Sequence, residues 1–344
     1  MGFWTRLINL FSFIEFMELI KIDKTSGIPL LGALPFGIID RGTNILQVRC
    51  TSVCNMQCAF CSTSANNFKM HPVNYIVDVD YLLEWVKKVA EFKGDNLQIF
   101  LDSVGDPLTH PDFVKLVVGL RKIKQIRDII VITNGTLLTK DKIDALENAG
   151  LTRINISLHS LDKEQSKKLF GNRAYDLDKV LELIKYISKS KIKLMLTPVL
   201  LHNVNDNEIE KIIKFAKEIG CLVGIQNYET YKYSRKMKEA EKITYWKFYK
   251  KIEELEKKYD MGLRFQNEQF NIEKRERLAV DFKVGEKVNA EIVAPGWFSN
   301  QMIGKAKNRC ISINNCNHGL GNSVKVKIIE NNNNIYIAEK INKN

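Results

Sequence analysis

The chain has 344 residues, 45% of them apolar, with 52 Lys and Arg against 40 Asp and Glu for a formal charge of +12. That length and apolar content suffice for a full-sized core with a smaller appendage. The seven cysteines are neither dense nor an even set, and without a secretory signal they argue against a disulfide scaffold. The positive excess favours a polyanionic partner, with a solvated lysine-rich surface as the plainer alternative. From the N-terminus, the apolar run Phe3–Ile20 is broken by Arg6, Asn9, Glu15 and Glu18. It is too polar for a membrane span and is expected to be an amphipathic helix.

Strands and helices then alternate. A strand over Asn44–Cys50 precedes a cysteine-rich loop. Asp80 is expected to cap a helix with Leu82, Leu83, Val86, Val89 and Ala90 on one face, closed by Gly94. The strand Leu97–Leu101 follows, then a helix from Pro111, the strand Ile129–Ile132 and a helix from Thr139 to Gly150. The pattern continues with strand Arg153–Leu158, helix Asp176–Ile187, strand Lys193–Leu200, helix Asp206–Ile219, strand Leu222–Gln226 and a last helix over Ile243–Lys258. Six such units demand right-handed crossovers and a parallel sheet, whose active-site groups belong at the C-terminal strand ends. Past residue 280, short strands are expected over Val284–Val293, Cys310–Ile313, Ser323–Ile329 and Asn334–Ala338.

Cys54, Cys58 and Cys61 lie in the stretch Cys54-Asn-Met-Gln-Cys58-Ala-Phe60-Cys61. Three thiolates at this spacing can hold a 4Fe-4S cluster on three irons and leave the fourth iron open. A structural zinc site needs a fourth ligand, and no His pair stands near the triplet. Cys50 gives the wrong second spacing and is read as the end of a strand.

The triplet, with an aromatic residue before its last cysteine, resembles the radical S-adenosylmethionine (SAM) superfamily. The resemblance implies a partial (β/α)6 barrel, an open iron that chelates the amino and carboxylate groups of SAM, and reductive cleavage to a 5'-deoxyadenosyl radical. It extends to the strand ends. Asp102-Ser103-Val104-Gly105-Asp106-Pro107 is similar to the family's Gly-Gly-Glu-Pro element, which implies that Gly105 and Asp106 meet the SAM amino group; the alternative is an ordinary turn. Thr133-Asn134-Gly135-Thr136 resembles the turn lining the adenosine side, which implies a role for Asn134. Asn155-Ile156-Ser157-Leu158-His159-Ser160 resembles the SAM-binding segment of radical methyltransferases acting on adenine of ribosomal and transfer RNA. Alternation would set Ser157 and His159 on one face as cofactor contacts, against a hydrogen-bonded structural histidine. Phe60 and Asn203 complete the cofactor-binding set that the resemblance implies. Phe36 to Thr43 with the cysteine loop is similar to uncharacterised archaeal iron-sulfur oxidoreductases.

The expected organisation is an N-terminal helix and lead-in (1–43), a radical SAM core (44–260) and a small C-terminal β-barrel-like domain (261–344). The closing stretch Gly319–Ala338 resembles a TRAM-type barrel, with Lys325 and Lys327 projecting from one face. Between Tyr231 and Lys251, aromatic and basic residues interleave, which suits nucleic acid or, more plainly, a charged helix surface. Cys221, Cys310 and Cys316 sit in no matching motif. The function expected is a cytoplasmic radical SAM enzyme using a 4Fe-4S cluster and SAM, reduced by a donor such as ferredoxin or flavodoxin, that modifies a nucleotide in tRNA or rRNA. Alternatives are modification of a peptide side chain or small metabolite, and a non-catalytic electron carrier.

Overall fold

The computed structural model describes residues 18–341, which fall into two compact units. Of the described residues, one holds those up to Asn55, Ala65–Asp112 and those from Lys274 on; the other holds Met56–Ser64 and Phe113–Glu273. The expected N-terminal helix lies largely outside the described residues. At its expected end, Glu18–Ile22 is instead a strand, β1.

In the first unit, β2 (Gly37–Asp40) runs antiparallel to β3 (Ile45–Arg49), β4 (Val73–Val77) lies parallel to β1, and β5 (Leu97–Leu101) lies parallel to β3. Helix α1 (Val79–Lys93) starts two residues earlier than expected. Asp78, not Asp80, is its cap and accepts from Tyr81 N, because a side-chain oxygen reaches backbone N–H groups two and three residues on. Gly94 follows its last residue. Lys93 donates to Asp40 Oδ1 (2.9 Å) and Glu276 O (2.6 Å), a pair with both side chains 0% exposed that ties the end of α1 to β2.

The C-terminal part of this unit is a closed barrel of β12 (Lys287–Pro295), β13 (Gln301–Ala306), β14 (Arg309–Asn314), β15 (Ser323–Glu330) and β16 (Ile337–Lys340), in the order β12-β13-β14-β16-β15. Every pairing is antiparallel except β14 with β16. Strand β13 was not expected; Gln301 and Gly304 dilute its apolar signal. Alternation along β15 buries Val324, Val326 and Ile328 with Phe282, Ile311 and Tyr336, and turns Lys325 and Lys327 outward, as the sequence implies.

The second unit carries α2 (Phe113–Arg121), β6 (Ile126–Thr133), α3 (Lys140–Asn148), β7 (Arg153–Ile156), α4 (Lys163–Phe170), α5 (Leu177–Ile187), β8 (Lys193–Leu196), β9 (Val199–Leu200), α6 (Asp206–Ile219), β10 (Leu222–Val223), β11 (Gln226–Asn227) and α7 (Tyr245–Tyr259). Strands β6, β7, β8 and β10 pair in parallel, in that order. Three expectations are corrected here. Strand β7 ends at Ile156, so strand alternation does not orient Ser157 and His159. The strand expected over Lys193–Leu200 breaks at Thr197-Pro198, because Pro198 has no N–H to give a ladder, and that expected over Leu222–Gln226 breaks around Gly224. Helix α4 was missed altogether. Among the described residues, no helix is long and apolar enough to cross a membrane.

Candidate active site

The cysteine loop begins where β3 ends. In the first unit, Val53 O accepts from Asp106 N (2.8 Å) and Thr109 Oγ1 (3.1 Å), and Cys54 O accepts from Asn66 Nδ2 (2.8 Å). The turn after β5 packs on this stretch. A Cβ built on Gly105 would stand 2.1 Å from Val53 O, so only glycine allows the approach. Asp106 is buried and its carboxylate accepts from Leu108 N (3.0 Å), while Asp102 accepts from Gln47 Nε2 (2.7 Å) and Arg49 Nη2 (3.0 Å).

The remainder of the loop belongs to the second unit and leans on the end of α4. Gln57 N donates to Phe170 O (3.1 Å) and Ala59 N to Leu169 O (2.9 Å). Gly171, at φ +61°, closes α4 so tightly on the loop that a Cβ there would be 2.1 Å from Gln57 O. Phe60 is buried edge-on against His159, with centroids 4.8 Å apart. Across the loop, Arg235 donates from Nη1 to Cys58 O (2.8 Å) and from its backbone N to Cys61 O (2.8 Å). Ser234 Oγ donates to Ser62 O (3.0 Å), and Ser64 Oγ to Tyr233 O (2.6 Å). No motif or periodicity in the sequence marks this brace.

The seven thiols divide by environment. Cys54, Cys58 and Cys61 are half-buried, whereas Cys50, Cys221, Cys310 and Cys316 are buried. Burial pushes the Cys50 and Cys221 thiols up to about 12 and raises Cys310 further, which keeps all three protonated and poor metal ligands. Among the described residues no three His, Cys, Asp or Glu side chains form a preformed metal site. The fit to an iron-sulfur cluster therefore rests on the donor set: three half-buried thiols on one loop, with the Cys54 carbonyl held by Asn66 and those of Cys58 and Cys61 by Arg235.

At the C-terminal ends of the parallel strands, Thr133, Ile156, Leu196 and Val223 stand in register. The ladder runs one residue further, with Ser157 N bonded to Thr133 O (2.9 Å), Thr197 N to Ile156 O (2.8 Å) and Gly224 N to Leu196 O (2.8 Å). Asn134, Ser157, Thr197 and Gly224 thus form one level just past the sheet. Asn134 is buried, its Oδ1 accepting from Thr136 N (3.0 Å). Thr197 Oγ1 and, one level down, Asn155 Oδ1 are buried with no hydrogen-bond partner among the described residues. Buried polar atoms left unpaired cost roughly 1–3 kcal/mol each, so this floor suits a polar ligand and fits SAM. Neither is among the expected site residues, although a polar side chain within or directly after an apolar strand is a readable signal.

Asn203 is exposed. Its Nδ2 donates to Glu241 Oε2 (3.1 Å), and it lines a surface cavity of about 570 Å³ with Asp162, Lys168 and Glu239. His159 is buried between Phe60 and Phe170, and its Nδ1 accepts from Val199 N (3.1 Å). Burial lowers its pKa to about 3, so it is neutral at working pH. The unfolded chain binds a proton near pH 6.5 and the native site does not. Its contribution to stability is therefore intact above about pH 6.5 and is lost as pH falls toward 3. Acid denaturation should steepen across that window by at most ~1.4 kcal/mol per pH unit from this group. In His159→Phe, urea midpoints measured against pH should lose that increment; an unchanged pH slope would show that the ring is hydrated in solution.

A sequence profile of the Radical SAM superfamily matches residues 48–216. An uncharacterised protein of Methanocaldococcus jannaschii is 36% identical over 91% of this chain and 79% of its own length. The GTP 3',8-cyclase of Aquifex aeolicus is 30% identical over 55% of this chain, which spans only 58% of that enzyme. Among solved structures, SuiB of Streptococcus suis bound to its precursor peptide SuiA is similar in fold, with a TM-score of 0.52, 16% identity and coverage of 66% of this chain and 49% of that one. The chain belongs to the radical SAM superfamily. It is a radical SAM enzyme with a partial (β/α)6 fold and a small closed β-barrel, and the cofactors of its family are a 4Fe-4S cluster and SAM.

Proposed function

We propose that the protein modifies a nucleotide within structured RNA, with Cys54, Cys58 and Cys61 holding the cluster. When bound there, a reduced cluster and SAM would supply the radical chemistry of the family, hydrogen-atom abstraction from the substrate. The chain's own groups do the positioning. Gly105 and Asp106 buttress the start of the cysteine loop, Arg235 braces its end, and Asn134, Ser157, Thr197 and Asn155 would offer polar atoms to SAM.

The observation that carries the RNA reading is the outer face of the barrel. Lys287 lies directly opposite Lys327 in register, and Lys325 lies opposite Asn289. All three lysines are exposed and form no ion pair among the described residues; Glu339 is in register with Lys327 on its other side. Like charges facing each other across a sheet are destabilising, a cost that a bound polyanion relieves. A closed five-stranded barrel of this kind is also an architecture used for oligonucleotides. The GTP 3',8-cyclases, to which the chain is similar, are named for a purine nucleotide substrate, which supports nucleotide chemistry in the shared half.

Salt-dependent binding tests the reading. Affinity for tRNA or rRNA fragments should fall steeply with salt, and replacing Lys287, Lys325 and Lys327 by Gln should flatten the log–log slope by roughly two to three units without changing SAM cleavage. If the intact protein shows no salt-dependent affinity for RNA, a peptide or small metabolite takes its place as substrate.

A further inference from the structure

The brace on the cysteine loop continues into an exposed aromatic surface. Among the described residues seven aromatic side chains are exposed, and five of them lie between 231 and 249: Tyr231, Tyr233, Tyr245, Trp246 and Tyr249. Tyr245 and Tyr249 stack with centroids 6.2 Å apart, and Trp246 lies beside Tyr245 in the first turn of α7. Lys232 sits over the Tyr233 ring (5.0 Å) and Lys250 over Trp246 (5.5 Å). Tyr233, at one end, is hydrogen-bonded through its carbonyl to Ser64 of the cysteine loop.

The charge of the surface is one-sided. Residues 231–251 hold eight Lys or Arg against Glu239 and Glu241. Glu239 is paired with Lys168, and Glu241 accepts from Asn203. Lys236, Lys238, Lys242 and Lys247 are exposed without an ion-pair partner among the described residues. Burying rings of this size elsewhere would release them from water, so their joint exposure marks a binding face. Flat rings interleaved with unpaired cations match bases with phosphates between them, since every base has a face to stack and every linkage a charge to neutralise.

We infer that the surface from Tyr231 to Lys251 is a stacking platform for a single-stranded RNA segment, leading unpaired bases toward the cysteine loop. The inference rests on the RNA reading and adds the part of the RNA that is engaged: an unpaired segment, gripped by its bases as well as its backbone.

The test uses the reconstituted full chain, a mixed-sequence single-stranded RNA oligonucleotide, and inorganic polyphosphate as an anion without bases. RNA should quench the fluorescence of Trp246, with Trp246→Phe identifying its share, and polyphosphate should not. Tyr231→Ala, Tyr245→Ala and Trp246→Ala should each weaken RNA binding roughly tenfold and leave polyphosphate binding unchanged. These side chains are exposed, so their removal leaves the core intact. If the aromatic variants bind RNA as the wild type does while the barrel-lysine variant loses its salt dependence, the platform is overturned and the RNA reading stands. If the wild type binds no RNA, both fall. Slower reduction by a flavodoxin, with RNA affinity unchanged, would assign the surface to the electron donor and overturn the inference.

Discussion

Cys54→Ala, Cys58→Ala and Cys61→Ala should each abolish the visible charge-transfer absorbance and most of the bound iron after anaerobic reconstitution, while Cys50→Ala and Cys221→Ala retain both. A cluster on three thiolates has no spare protein ligand, so losing one removes a third of its anchorage. The environments separate the groups before any metal arrives. The first three thiols are half-buried, whereas Cys50 and Cys221 are buried and held protonated up to about 12. Cys50 also points to the carbonyl of Pro107 (3.9 Å), within the packing beneath the turn. Far-UV circular dichroism on each variant separates unfolding from ligand loss. Loss of iron in Cys50→Ala together with retention in Cys61→Ala would shift the ligand register by one spacing and sink the assignment.

The cysteine triplet can be proposed from the sequence alone because ligand spacing is a local property of the chain. The same holds for Thr139 and Asp176, which cap α3 and α5, and for Asp206–Ile219, where periodicity gives α6 its bounds. Helix α4 escaped because Lys163–Phe170 is short and buries only Ser166, Leu169 and Phe170, too little for an amphipathic signature. Its C-terminus nevertheless cradles the cysteine loop. The brace by Tyr233, Ser234 and Arg235 has no periodicity at all. Its partners lie some 170 residues away, as from Ser64 to Tyr233 (169) and Ser62 to Ser234 (172), so only tertiary structure reveals it. His159 shows the opposite failure. Strand alternation was extended past Ile156, where the strand stops, and the ring's partners are Val199 N and two phenylalanines. Asn155 within β7 and Thr197 just past β8 are polar residues next to apolar ones, yet their unpaired oxygens emerge only once burial is known.

Gly105→Ala and Gly171→Ala should each strip the protein of most of its cluster although all seven cysteines remain. Each glycine lets backbone from elsewhere in its own unit touch one end of the cysteine loop. A methyl on Gly105 would meet Val53 O at 2.1 Å and Ser52 O at 2.6 Å; one on Gly171 would meet Gln57 O at 2.1 Å. Contacts that short against backbone cannot be relieved by turning a side chain, so the loop must move, and the carbonyl bonds that fix Cys54, Cys58 and Cys61 move with it. Gly171 carries a second cost, since its φ of +61° is unfavourable for alanine by roughly 1–3 kcal/mol. Gly220 separates the two effects. It closes α6 at φ +70° with nothing within 4 Å, so Gly220→Ala bears the backbone strain without the collision. Thermal denaturation should register a loss in both Gly171→Ala and Gly220→Ala, but iron and sulfide analysis should find the cluster depleted only in Gly105→Ala and Gly171→Ala. Full cluster occupancy in Gly105→Ala, with thiol titration confirming intact cysteines, would show that the loop gathers its metal without this buttress.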